Sequence, residues 1–367
     1  MNEVEAKEKG LISRLTNETF RFPEKIREGY YSANYFLKTE KIIQTHLPGQ
    51  IVTEQFFQRE DDVMVCGIDE CIALLHTFAK HPEDLKIEAL HDGDMISSGE
   101  PVLKVTGRYE DFGYLESLID GILARRSSVA TNAHRTVLAA HGKPILNMAD
   151  RQDDYLTQVG DGYACYVGGI TRPCTEAMGE WWGAHGGGTM PHALIQMCGG
   201  DIIKAGELYL KTFPNEKLTA LIDYHNNVVE DTLALARVLK ENLAAVRVDT
   251  SKSLIDHYFD DKDTSGFDPH GVCKELIFAL RNALDQEGFP WVKIIVSSGF
   301  TYQKMEEWAK ENVPVDTYGV GSSLLQVHVG FTGDLVKLNG KDQAKEGRRD
   351  IPSSRLELVE YPIVRKK

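Results

Sequence analysis

Positive charge is in short supply in this chain, where 41 Lys and Arg stand against 55 Asp and Glu for a formal net charge of −14. A nucleic-acid partner needs clustered cations that displace its counterions, so none is expected. A few focused arginines can still hold a small anion in a globally acidic protein. Cysteine is also sparse. The six, at 66, 71, 165, 174, 198 and 273, form no CxxC pair and no zinc-type Cys/His spacing, which points to free or buried thiols in a reducing cytoplasm. No apolar run approaches the length that spans a bilayer, and the opening MNEVEAKEKG is charged where a signal peptide would be apolar. A cytoplasmic protein without a membrane partner is expected.

What the chain does have is length and core material. Its 367 residues, with 42% hydrophobic and 26% charged, suffice for two ordinary globular domains. Residues from about 20 to 120 read as a smaller α+β unit. A strand-like stretch at 50–57 is followed by a helix around 69–80, and two turn signals at 91–105 bracket a short hairpin. A helical pattern from Tyr114, through Leu118, Ile119, Ile122 and Leu123 to Val129 and Ala130, bridges into the second half.

There the pattern changes to short apolar runs at 218–223, 244–249, 292–299 and 316–322, separated by helical stretches at 228–243, 275–286 and 302–312. Apolar runs closed by turn residues and alternating with helices are the sequence form of parallel strands buried on both faces. The expected fold is α/β: an irregular, TIM-like parallel α/β barrel over 121–326, with a small α+β domain over 1–120 to which antiparallel strand material at 327–367 returns.

In such barrels ligands sit at the carboxyl ends of the strands, so the residues that close each run are the candidates for chemistry. Asp223 closes the first. Arg247 and Asp249 close the second, and two positions apart on a strand they share one face. Inward charge in an apolar strand is costly unless paired or used, so they either salt-bridge each other or hold a substrate with an anionic group. Ser297-Ser298-Gly299 and Gly319-Val320-Gly321-Ser322-Ser323 follow the next two runs, and with a helix starting near Thr301 they have the makings of a phosphate cradle.

The most unusual stretch is Gly186-Gly187-Gly188-Thr189-Met190-Pro191-His192. Its glycines let backbone N–H groups approach an anion, and its histidine suits a base, ligand or nucleophile. A flexible loop ahead of a satisfied histidine is the plain alternative. Arg125, Arg126, His134, Arg135 and Arg151 are further cations that a polyphosphate could use. Lys293, inside an apolar strand, could serve a lyase or aldolase as a Schiff-base amine. A nucleotide sensor that keeps the pocket without turnover is a third possibility.

These motifs, together with Tyr35 in Ser32-Ala33-Asn34-Tyr35-Phe36-Leu37-Lys38-Thr39, Val246-Arg247-Val248-Asp249-Thr250 and Phe331-Thr332-Gly333-Asp334-Leu335-Val336, make the chain similar to the nicotinate phosphoribosyltransferases, type II phosphoribosyltransferases. The resemblance implies that His192 is phosphorylated by ATP and that Tyr35, from a neighbouring subunit, stacks on the pyridine ring. It implies that Thr189 and Arg247 hold nicotinate. Ser322, with the surrounding glycines Gly319 and Gly321, would take the 5-phosphate of phosphoribosyl pyrophosphate, while Ser298, Gly299 and Arg151 stay candidates from their positions near strand ends. Asp223 and Asp249 fall near ribose and Mg²⁺. The implied activity is ATP-coupled, ligase-type synthesis of nicotinate mononucleotide in NAD biosynthesis by a homodimer or larger homo-oligomer with shared sites. Two departures stand out: the tail from Lys337 carries no cysteine for the zinc knuckle of some relatives, so no zinc is expected, and the phosphate loop has Ser298 where glycine is usual.

Overall fold

The computed structural model describes residues 1–363. Residues 364–367 of the returning tail lie outside the described residues. The second half of the chain builds a parallel sheet in the order Ile145–Asn147, Thr317–Val320, Lys293–Val296, Leu243–Val248, Leu218–Leu221. Each strand from 218 onward pairs with the next in sequence, and the helices Val228–Leu239, Lys274–Gln286 and Tyr302–Lys310 carry the chain back between them. Ile145–Asn147, the earliest strand, pairs with the last, Thr317–Val320.

The strands thus follow a ring-like succession, but among the described residues backbone pairing joins five of them in an open row and does not close a barrel. The gap lies between Ile145–Asn147 and Leu218–Leu221. There Arg172 lends one carbonyl to the N–H of Asn147 at 2.9 Å, and Pro173, which has no N–H to give, follows it. Proline and the glycines at 186–188 do not sustain a ladder, so this stretch is loop.

The first part of the chain builds an antiparallel sheet in the order Lys341–Asp342, Thr332–Leu338, Ile51–Phe57, Leu103–Arg108, Lys86–Ala89, Glu357–Leu358. Thr332–Leu338 pairs antiparallel with Ile51–Phe57 in this sheet. The hairpin expected at 91–105 does not form. Gly93 and Gly99 do turn the chain, with φ of +99° and +76°, but Met95–Ile96 between them pairs with Val63–Met64. Burial of Val63 and Ile96 explains the choice of partner.

The helix Glu116–Ala139 joins the two halves. Its Ile119 and Leu123 are wholly buried in the apolar cluster of the antiparallel sheet, while Val129, Ala130 and Ala133 are wholly buried in that of the parallel sheet. One element thus bridges both cores, each large side chain contributing roughly 1.5–3 kcal/mol of burial. Among the described residues no helix is long and apolar enough to cross a membrane.

At the start of this helix three acids crowd together. Glu54 is buried without a hydrogen-bond donor, and a Cβ on Gly333 would lie 2.8 Å from its Oε1 and 3.0 Å from Cγ of Glu116. Burial, with added repulsion from Asp120 and Asp334, lifts Glu116 to about 7, and burial with Asp334 lifts Asp120 to about 6. At these two carboxyls the folded state therefore binds protons more tightly than the unfolded one, so their contribution to stability is fully present at acidic pH and is lost as pH rises through about 7. Glu116→Gln is expected to add about 1–2 kcal/mol of stability near pH 8, a figure reduced for partial exposure, and about nothing near pH 4.5. Chemical denaturation at the two pH values checks this, and an equal gain at both would show that charge is not the cause.

Candidate functional site

Alternation along the parallel strands places Thr219, Leu221, Arg247, Asp249, Ile295, Ser297, Thr317 and Gly319 on one surface, the wall of a cavity of about 1090 Å³ at the strands' carboxyl ends. The glycine loop and residues 150–152 and 171–174 complete it.

Arg247 is half-buried, and among the described residues no carboxylate lies within ion-pair distance of it. Its Nη1 meets only the thioether of Met148, at 3.7 Å, and its buried Nε has no partner. The Arg247–Asp249 salt bridge left open by the sequence does not form. Asp249 instead accepts a 2.7 Å hydrogen bond from Ser297 Oγ. Ser297 is almost fully buried, so it fixes the direction of that carboxylate.

His192 opens the short helix His192–Met197 and lines the cavity. Its Nε2 lies 3.1 Å from Oδ1 of Asp223, with 48% of the histidine side chain exposed against 8% of the aspartate's. Asp223 is not part of the cavity wall and reaches it through the histidine. Burial pushes the Asp223 carboxyl above its ordinary range and Asp249 adds to this, while His192 and backbone hydrogen bonding oppose it.

The phosphate side is built on special backbone. Ser298 and Gly299 both have φ of +74°, the left-handed region that glycine adopts freely and serine at a cost of roughly 1–3 kcal/mol. Serine at this position in the cavity wall is a strained residue held by its surroundings. The helix Tyr302–Lys310 follows, with Thr301 capping the N–H of Lys304. Gly319 has no room for a side chain, because a Cβ would lie 2.7 Å from Met148 Sδ and 3.1 Å from Ser297 Cβ. Gly319→Ala is expected to cost about 1–3 kcal/mol of stability and to displace Met148 or Ser297 into the cavity. Thermal melting and turnover together check it, and an unchanged melt would mean that the floor yields.

Thr189, Arg151, Gly321 and Ser322 also line the cavity. Arg151 is exposed, and among the described residues it has no carboxylate within ion-pair distance. Arg172 shares both properties and was not legible in the sequence. Its one signal is the Arg-Pro step, which ends strand-like pairing at the sheet's edge.

Other expected residues lie elsewhere. Tyr35 sits on the helix Asn34–His46, 64% exposed and packed against Phe36, and does not line this cavity. Arg125 is held by Asp153 and Asp161, and Arg126 by Glu70 and Asp161. Neither these arginines nor His134 and Arg135 line the cavity. Lys293 stands at the opposite, amino end of its strand, 62% exposed and paired with Asp316 at 3.1 Å, which removes the buried amine of the Schiff-base reading.

Comparison with known proteins converges with this geometry. Residues 34–127 match the N-terminal domain of quinolinate phosphoribosyl transferase. The nicotinate phosphoribosyltransferase pncB1 of Mycobacterium tuberculosis (strain H37Rv) is 26% identical over 284 residues, 74% of this chain and 58% of that protein. The chain thus spans under two thirds of that relative's length. Among solved structures, nicotinate-nucleotide pyrophosphorylase from Pyrococcus furiosus aligns with a TM-score of 0.79 at 26% identity, covering 93% of this chain and 85% of the other. Human nicotinic acid phosphoribosyltransferase shares the fold, with a TM-score of 0.65 at 18% identity over 85% and 75% of the two chains. The amino-terminal match and the relatives' names agree in making the chain similar to the nicotinate phosphoribosyltransferases, and the solved structures share its fold.

Proposed function

We propose that this protein transfers the phosphoribosyl group of phosphoribosyl pyrophosphate to the ring nitrogen of nicotinate, giving nicotinate mononucleotide and pyrophosphate for NAD synthesis, with ATP hydrolysis coupled through His192. The observation that carries the reading is a cavity facing Arg151, Arg172 and Arg247, none of which has a carboxylate partner among the described residues. Cations left unpaired beside open space are cations kept for an anionic ligand.

The division of labour follows from position. Arg247, deep in the wall, pairs with the nicotinate carboxylate, and Thr189 closes on the ring from the glycine loop. Gly319, Gly321 and Ser322 take the 5-phosphate, with Ser298 and Gly299 turning backbone toward it. As the bond from ribose C1 to pyrophosphate oxygen breaks, positive charge grows on the sugar and negative charge on the leaving group. Asp249, steadied by Ser297, faces the first, and Arg151 and Arg172 the second. Mg²⁺, when bound, would neutralise the pyrophosphate. Asp249, on the cavity wall, is the carboxylate that would reach it.

Asp223 engages Nε2 of His192, which leaves Nδ1 as the nucleophile toward the γ-phosphate of ATP. The P–N bond forms as the bond to the β-phosphate oxygen breaks. Tyr35, exposed and off its own cavity, supports a homodimer or larger assembly in which one copy's tyrosine covers another's pyridine ring. The free thiols fit a reducing cytoplasm.

Incubation with nicotinate, phosphoribosyl pyrophosphate and Mg²⁺, with and without ATP, tests the proposal by chromatography of the nucleotide formed. Quinolinate as acceptor is the second reading, favoured by the family match at 34–127. Nucleotide formed from quinolinate alone would replace the first reading by the second, and none from either would end both.

A further inference from the structure

Met148 has no role in the transfer described above, yet it touches the residue that sets acceptor binding. It follows the Ile145–Asn147 strand, lines the cavity and is half-buried. Among the described residues its sulfur is the one hydrogen-bonding partner of the Arg247 guanidinium. A thioether is a weak acceptor, so in this form the arginine remains free for a carboxylate. The sulfur is also pinned in place. The N–H of Met148 donates to the Val320 carbonyl at 2.8 Å, and the absent Cβ of Gly319 leaves the space that Sδ and Cε fill.

We propose that Met148 is a peroxide-sensitive modification site whose oxidation to the sulfoxide withdraws Arg247 from the acceptor substrate. The inference rests on the assignment of Arg247 to the nicotinate carboxylate. In the step, hydrogen peroxide delivers one oxygen to sulfur: the O–O bond breaks, the S–O bond forms, sulfur loses two electrons and water leaves. The new oxygen, one bond beyond the sulfur, comes within hydrogen-bond reach of Nη1 and is a far stronger acceptor than the thioether. A carboxylate must then displace it to bind. Sulfoxide reduction restores the original contact.

The test treats the full chain with graded hydrogen peroxide, maps sulfoxide by peptide mass spectrometry, and measures KM for nicotinate and for phosphoribosyl pyrophosphate at each step. Met197, 86% exposed, serves as the internal reference for a methionine outside the cavity. Nicotinate KM is expected to rise roughly tenfold or more in step with Met148 oxidation, with the phosphoribosyl pyrophosphate KM little changed. Saturating nicotinate should protect Met148 and leave Met197 exposed to oxidation. In Met148→Leu, whatever its starting KM, peroxide should cause no further rise, whereas Met197→Leu should remain sensitive. A nicotinate KM unmoved by full oxidation of Met148 overturns the inference, as does a Met148 that stays reduced when Met197 is converted. Untreated protein that makes no nicotinate mononucleotide fails the functional reading itself, a separate result.

Discussion

Arg247→Ala is expected to raise the nicotinate concentration needed for half-maximal rate by one to two orders of magnitude while leaving that for phosphoribosyl pyrophosphate nearly unchanged. The side chain stands half-buried in the cavity wall and, among the described residues, has an unpartnered Nε and only a thioether near Nη1. A carboxylate that meets it replaces almost no protein contact, so the charged hydrogen bonds count nearly in full, about 1.5–3 kcal/mol. Arg247→Lys should recover only part of the loss, because an ammonium cannot supply the two parallel N–H groups of a guanidinium. Nicotinamide, lacking the charge, should be little affected, so the preference for the acid over the amide narrows in the alanine variant. Steady-state kinetics with each substrate varied decides the matter. Should the phosphoribosyl pyrophosphate constant move and the nicotinate constant stay, Arg247 serves the phosphates and the acceptor site lies elsewhere.

The strand-end residues were legible because a strand's side chains alternate. Arg247 and Asp249 sit two apart in an otherwise apolar run, so one reading puts both on the same wall, and the parallel register with Leu221 and Ile295 puts them there. The Ser298-Gly299 turn and Gly321 were legible for a similar reason, since small residues directly after apolar strands have few other uses, whereas Gly319 lies within the strand Thr317–Val320. What the sequence withheld depends on partners distant in the chain. Nothing local shows that Arg126 is spent on Glu70, 56 residues away, while Arg172 is left free beside the cavity. The open edge of the parallel sheet was hidden for the same reason. Four apolar runs announce a ring, but its closure rests on the stretch around Pro173 and the triple glycine, where backbone pairing fails. Likewise nothing local singles out Met148, and only the register of Ile145–Asn147 against Thr317–Val320 brings its sulfur to Arg247.

The second large effect concerns coupling. His192→Ala is expected to abolish incorporation of label from γ-labelled ATP and all ATP stimulation, while slow synthesis of nicotinate mononucleotide continues. On the proposed function the histidine takes no part in breaking the bond at ribose C1. Its phosphorylation would shift the affinity of the site for phosphoribosyl pyrophosphate between two states, and a ligand can move such an equilibrium only by binding those states differently. The Asp223 contact at Nε2 makes a narrower prediction, that the label resides on Nδ1. Asp223→Asn keeps a hydrogen-bonding side chain but removes the charge that stabilises the imidazolium as Nδ1 takes the phosphoryl group, so labelling should fall by roughly 10–100-fold without vanishing. Burial raises the Asp223 carboxyl above its ordinary range, which means that it becomes protonated, and loses this effect, at a higher pH than a solvated aspartate would as the medium is acidified. The acid limb of the labelling rate should therefore flatten in Asp223→Asn. Label that persists in His192→Ala, or that maps to a different side chain, would detach ATP from this histidine and leave the arginine-lined cavity to carry out the transfer without it.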